Sequence, residues 1–206
     1  MQYMALIYAD QNAWDGFSPA KKESAYEQYR AFSKEAREAG VLVGGDELAS
    51  TRDATTVRVR DETLVTDGPY AEVKEALGGY YVLECASLDD AVDWAARIPG
   101  AHHGAVEVRP VYVDPEEAHR AHRAAQHPAQ LIYGDDSTWV DLPEEDKAKL
   151  REDEMPQWLT LFDELRKADP DISGKELDGR SAAKVVRVRN GERIVTDGPF
   201  AETKEI

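Results

Sequence analysis

The sequence predicts an α+β fold built from repeated βαββαβ units, and three observations carry that reading. The first is a repeat. Thr66-Asp67-Gly68-Pro69-Tyr70-Ala71-Glu72-Val73-Lys74-Glu75 returns as Thr196-Asp197-Gly198-Pro199-Phe200-Ala201-Glu202-Thr203-Lys204-Glu205, with residue 66 recurring at 196 throughout. A repeat of that length marks two copies of one domain rather than a short solenoid unit. The second is the order of elements in the first copy: strand, helix, strand in a hairpin, strand, helix, strand. The third is the burial pattern of the strands. Tyr3–Tyr8 and Tyr80–Cys85 are apolar on both alternating faces, whereas Val57-Arg58-Val59-Arg60 and Ala105-Val106-Glu107-Val108-Arg109 alternate. Strands covered on both sides are central, and alternating ones sit near an edge. That distribution is the one a ferredoxin-like sheet of strand order 4-1-3-2 requires. Its helices cover one face only, so the other face is expected to be buried against something, most simply a second such sheet.

Each element has a local reason. Ser18 is positioned to cap a helix that has Pro19 at its first turn. That helix buries Ala25, Tyr29, Phe32 and Ala36 and stops at Gly40. Val41-Leu42-Val43 leads through Gly44-Gly45 into the Val57–Arg60 arm, Asp61-Glu62 turns, and Thr63–Thr66 returns. The second copy has Asn190-Gly191 at this turn, a strong signal for a two-residue hairpin. Its additional residue changes the spacing from 129 before the turn, Val59 to Val188, to 130 after it. Ser87 caps a second helix with Asp89 and Asp90 in its first turn, Val92, Ala95, Ala96 and Ile98 buried, and Pro99-Gly100 as its end.

The domain organisation follows: a complete unit over 1–113, a polar helical linker over 114–128, and a partial second unit over 129–206. The second copy opens with Leu131-Ile132-Tyr133, which echoes Leu6-Ile7-Tyr8, and Trp139 echoes Trp14. Its helix carries Trp158, Leu161, Phe162 and Leu165, with Pro156 expected near a break or first turn. The sequence stops at Ile206, where the central strand, second helix and last strand of this copy are expected. Two explanations stand: a truncated tandem, or a sheet completed by a partner chain.

Composition narrows the function classes. A formal net charge of −16 leaves no basic footprint for phosphates or anionic lipid, so neither nucleic acid nor membrane is an expected partner. With 42% hydrophobic residues, no apolar run of bilayer length and no basic leader before Met4-Ala5-Leu6, the chain reads as a soluble globular protein. One cysteine, Cys85, excludes an intrachain disulfide and points to the cytoplasm. It reads as a core residue.

The motif Thr66–Glu75, followed by Leu77-Gly78-Gly79-Tyr80-Tyr81, Trp94–Pro99 and Val106-Glu107-Val108-Arg109-Pro110, resembles the DGPF group of YCII-related proteins. The resemblance covers 1–113 whole and 129–206 in part. It implies ferredoxin-like units paired as a dimeric α/β barrel, either as a homo-oligomer or by repeat pairing within the chain. It also implies a link to extracytoplasmic-function sigma factors, under which the chain would be a non-catalytic interaction module. Related YCII proteins are thought to use a His–Asp pair in the cleft. Here neither copy has a histidine in its first helix or near the motif, so Asp67 alone is the candidate acidic member.

Two readings of Asp67-Gly68-Pro69 stand side by side. In one, Asp67 is a general base or hydrogen-bond acceptor for a small molecule bound between paired sheets. Tyr8, Trp14, Gly68, Pro69 and Tyr70 then form walls, and Glu72 and Lys74 a polar rim. Asp197, Gly198, Pro199 and Phe200 are the equivalents in the second copy. In the other reading all three residues serve the turn. His119 and His122, with Glu116 a turn earlier, have spacing that could hold a metal but read as a solvated linker face. His127 lies in the linker, and His102-His103 in a loop before the last strand. No metal or cofactor is expected, and whether the chain is an enzyme is left open.

Overall fold

A computed structural model of the chain describes residues 1–59, 62–69, 75–112, 132, 142–168, 172 and 174–200. The order is β1 (Gln2–Asp10), α1 (Gln11–Asp15), α2 (Pro19–Glu38), β2 (Leu42–Glu47), β3 (Thr55–Val59), β4 (Thr63–Asp67), β5 (Glu75–Glu84), α3 (Leu88–Ala95), α4 (Gly100–His103) and β6 (Ala105–Tyr112). Then come α5 (Glu144–Ala168), β7 (Glu176–Leu177), β8 (Lys184–Arg189) and β9 (Glu192–Asp197). No described helix is long and apolar enough to cross a membrane. The linker 114–128, the strand predicted at 131–135 and Trp139 lie outside the described residues, apart from Ile132.

The main sheet runs β2-β5-β1-β6-β8-β9 with every neighbouring pair antiparallel. Within the first unit this is the expected order, β1 and β5 central. The helix starts also follow the sequence. Ser18 Oγ accepts the Lys21 N–H at 3.3 Å, and Ser87 Oγ accepts the Asp90 N–H at 3.1 Å. On the helix-covered face, Tyr3, Ala5 and Ile7 of β1, Leu83 of β5, and Val106 and Val108 of β6 pack beneath Phe32, Ala36, Ala91, Val92 and Ala95. Alternation sends Leu6, Val82, Glu107 and Val185 to the opposite face, and these are buried too. The inference that both faces are covered is met.

Three expectations are corrected. First, the edge position beside β5 belongs to β2, not to the Val57–Arg60 arm. The arm forms a separate two-stranded sheet with β4, and Val57, Val59, Leu64 and Val65 are exposed. Sequence patterning missed β2 because Gly44-Gly45 carries no strand propensity. The glycine is nonetheless what allows the strand there: a Cβ on Gly45 would stand 2.5 Å from the Tyr80 carbonyl oxygen, at a φ of +157°.

Second, β6 closes the first unit but is not an edge of the sheet, because β8 pairs along it from Val106–Val186 to Val108–Lys184. Third, α5 runs through Pro156 instead of breaking there. The β8–β9 hairpin closes with the turn its sequence encodes. Asn190 and Gly191 both have positive φ, 53° and 80°, as the predicted tight turn needs.

Replacing Gly45 with alanine forces Cβ against the β5 backbone, and the expected cost is about 1–3 kcal/mol of unfolding free energy. Chemical denaturation of the variant and wild type measures it; an unchanged midpoint would contradict the packing described.

Candidate functional site

The face of the sheet opposite α2 and α3 gathers a second group of polar and aromatic side chains. On β6, Val106 and Val108 point into the core under the helices, so Glu107 and Arg109 point the other way. Tyr8 on β1 and Arg187 on β8 share that face by the same alternation. The second occurrence of the motif, Thr196 to Phe200, then reaches it. Phe200 stacks on Tyr8 with ring centroids 4.2 Å apart and planes 17° from parallel. The Arg187 guanidinium lies 5.3 Å from the Phe200 ring centre. The Phe200 backbone N–H donates to Glu107 Oε2 at 2.8 Å.

Glu107 is the unusual member. It is only 1% exposed. One oxygen has the Phe200 amide, whereas Oε1 has no hydrogen-bond partner among the described residues. Arg109 supplies a positive charge, its Nε 3.8 Å from Oε1, which is ion-pair range but too long for a hydrogen bond. That guanidinium spends its Nε and Nη2 hydrogens on the Asp178 carbonyl, at 3.2 and 2.7 Å. Burial raises the Glu107 pKa above the usual carboxylate value, and the Phe200 amide and Arg109 only partly oppose it. A carboxyl held this way can give or take a proton nearer to neutral pH than an exposed one.

The sequence-predicted residues divide. Tyr8 and Phe200 come together at this face, while Gly198, which precedes Phe200 in the motif, donates its N–H to the Ala183 carbonyl at 2.9 Å. Asp67 does not join them: it ends β4 opposite Thr55, exposed, on the separate hairpin. Gly68 adopts φ +96°, donates its N–H to the Ala54 carbonyl at 2.8 Å, and accepts from Thr56 Oγ1 at 2.9 Å. Turn chemistry accounts for Gly68, and Pro69 beside it is exposed.

Asp197 is likewise exposed and pairs with Lys184, whose hydrogen bond lowers the carboxyl pKa. Trp14 packs at the corner of α1 and α2, edge-on to Tyr26 at 5.6 Å and near Phe17. Tyr70, Glu72 and Lys74 lie outside the described residues, as do His119, His122 and His127. His102 and His103 are exposed at the end of α4, a helix rather than a loop. No metal-binding cluster of His, Cys, Asp or Glu occurs among the described residues. Glu107, Arg109 and Arg187 were not picked out from sequence. Their only signal was the polar half of an alternating strand, the same signal that solvent-facing residues give.

An antiparallel βαββαβ sheet with helices on one face and a buried acid on the other defines a ferredoxin-like α+β protein. The chain belongs to the YCII-related family: residues 1–114 match the YCII-related domain. It is also similar to an uncharacterized protein of Rhizobium meliloti (strain 1021), 39% identical over 114 residues. That match spans 54% of this chain and 92% of the rhizobial one.

The raised Glu107 pKa has a consequence for stability. Its folded pKa lies above the ordinary glutamate value that the unfolded chain has. The folded state therefore holds this proton more tightly, and the group's favourable contribution is complete below the unfolded pKa. It is lost as pH rises through the folded pKa. Glu107→Gln, which keeps an acceptor for the Phe200 amide, is expected to remove that loss. Unfolding free energies across this pH range should fall less steeply for the variant than for wild type; parallel curves would contradict the assignment.

Proposed function

We propose that this YCII-family chain binds a small molecule on the face of its main sheet opposite α2 and α3. Glu107 is the group that shares a hydrogen bond or a proton with the ligand. Tyr8 and Phe200 provide a flat apolar wall, and Arg187 supplies a cation beside it. The observation that carries this reading is the Glu107 Oε1 atom: buried, on a group with a raised pKa, and without a hydrogen-bond partner among the described residues. An unsatisfied buried carboxyl oxygen is costly, and such groups in native proteins ask for a role or a missing partner.

The motif then has two parts to play. Asp67 and Asp197 are solvent-exposed strand ends, which supports the turn reading for the aspartates. The glycine-proline-aromatic portion of the second motif supports a framing role, because it delivers the Phe200 ring and amide to Tyr8 and Glu107. We also assign the chain to the DGPF group by its motif, and residues 129–206 to a second, partial unit. The 129–130 spacing and the matching hairpins support that tandem reading.

Thermal-shift screening of a small-molecule library on wild type, Glu107→Gln and Asp67→Asn tests the proposal. A ligand present at 100 times its Kd stabilises by about 2.7 kcal/mol. Ligands that stabilise wild type and Asp67→Asn are expected to lose most of that effect in Glu107→Gln. Equal stabilisation of Glu107→Gln would remove Glu107 from the site, and loss confined to Asp67→Asn would return the site to the first motif.

A further inference from the structure

The two oxygens of Glu107 have different surroundings, and the difference decides which of them carries the proton when the group is neutral. Oε2 accepts the Phe200 N–H at 2.8 Å. A neutral carboxyl has one carbonyl oxygen and one hydroxyl, and the carbonyl is the better acceptor, so the proton falls to Oε1. The surroundings favour that neutral form. Leu6 of β1 and Val185 of β8 stand directly opposite Glu107 in the ladders, share its face, and are buried apolar side chains. The Arg109 guanidinium lies within ion-pair range of Oε1, yet gives its Nε and Nη2 hydrogens to the Asp178 carbonyl. An ionised carboxylate competes better than a backbone carbonyl for a guanidinium, and a paired fork with it is the strong arrangement. Burial acts in the same direction by raising the Glu107 pKa.

We propose that Glu107 is a hydrogen-bond donor to the ligand of this face, presenting its Oε1 hydrogen to a carbonyl oxygen, and that the ligand is a flat aromatic or conjugated carbonyl compound. The inference rests on the ligand reading of Glu107 given above and adds its polarity: the protein gives the hydrogen bond and the ligand accepts it. Oε1 has no hydrogen-bond partner among the described residues, so an acceptor there satisfies a buried hydrogen that these residues leave unpaired. The Tyr8–Phe200 stack offers an aromatic surface on which a flat molecule lies. Arg187, 5.3 Å from the Phe200 ring centre, sets a cation beside that surface, which favours a ligand rich in π electrons. A ligand whose polar group is only a donor would bring one hydrogen against another at Oε1. No proton changes hands in this contact.

Two flat probes test it on the full chain: acetophenone, whose one polar atom is a carbonyl oxygen, and indole, whose one polar group is an N–H. Affinities are read from the backbone amide shifts of Val106, Glu107, Val108 and Phe200 during titration, at a series of pH values spanning the ionisation of Glu107. While Glu107 is protonated, acetophenone is expected to bind about tenfold more tightly than indole. As pH rises past that ionisation, the acetophenone Kd should increase about tenfold per pH unit, because only the protonated fraction binds. Infrared spectra of acetophenone with an isotope-labelled carbonyl should show its C=O stretch moving to lower frequency on wild type, and not on Glu107→Leu.

The outcomes separate this inference from the ligand reading beneath it. Suppose acetophenone loses affinity in Glu107→Leu, but its wild-type Kd is independent of pH or no tighter than that of indole. The donor role would then be overturned, and the Glu107 site would stand. Acetophenone that binds Glu107→Leu as tightly as wild type would remove Glu107 from the site, and both readings would fall. Absence of any acetophenone-induced shift up to its solubility limit would overturn the ligand class. The wild-type pH profile and infrared shift decide the donor role whether or not Glu107→Leu folds.

Discussion

The pairing of β8 along β6 is the contact on which the rest of the structure depends. It converts the last strand of the first unit into an interior strand whose residues from Ala105 to Val111 are all buried. On the helix-covered side it contributes Val186 and Val188 to the shared core. On the opposite side it carries Arg187 and, through β9, the Gly198-Pro199-Phe200 segment over Tyr8 and Glu107. Without that pairing the second motif would have no route to the first unit's sheet, and Glu107 would lose the amide that satisfies one of its oxygens.

Burying Glu107 and Arg109 in such a strand runs against stability. Desolvating two charged groups costs several kcal/mol each, and an ion pair separated by 3.8 Å without a direct hydrogen bond recovers only part of it. The raised pKa is the visible result, since a neutral carboxyl avoids much of the penalty. An apolar residue at 107 would fill the same space at lower cost but could not accept the Phe200 N–H. Packing alone therefore does not call for an acid there. The carboxylate both anchors the loop and leaves one oxygen for another partner, which is the basis for reading this face as a binding site.

Much of the fold was legible in the sequence because its signals are local. Ser18 and Ser87 are caps whose geometry depends on three or four neighbouring residues, and Asn190-Gly191 encodes its own turn. Two-sided apolar strands announced that both sheet faces are covered. The misreadings involve contacts remote in sequence. Leu42–Glu47 pairs with β5 through glycines whose value is close backbone approach rather than propensity. The Val57–Arg60 alternation describes a strand with one dry face, but it does not say which sheet supplies the dryness. Pro156 stays within α5 although it lacks the amide that its turn would use.

The candidate site was half legible. Tyr8 and the Gly198–Phe200 segment were flagged by repetition and composition. Glu107 was hidden because Val-Glu-Val-Arg is also the pattern of an edge strand with a wet face; only the arrival of β8, nearly eighty residues later in the chain, makes that face dry.

Native-state hydrogen exchange resolved by residue tests the central claim most directly. If β8 is an integral strand seated on β6, amides of Lys184–Arg189 should exchange only through the same large openings as those of β1 and β6. The amides of Thr55–Val59, in the repeat-equivalent hairpin, should exchange much earlier through local fraying. Equal and rapid exchange of the two hairpins would contradict the account, because β8 would then be no more part of the sheet than β3.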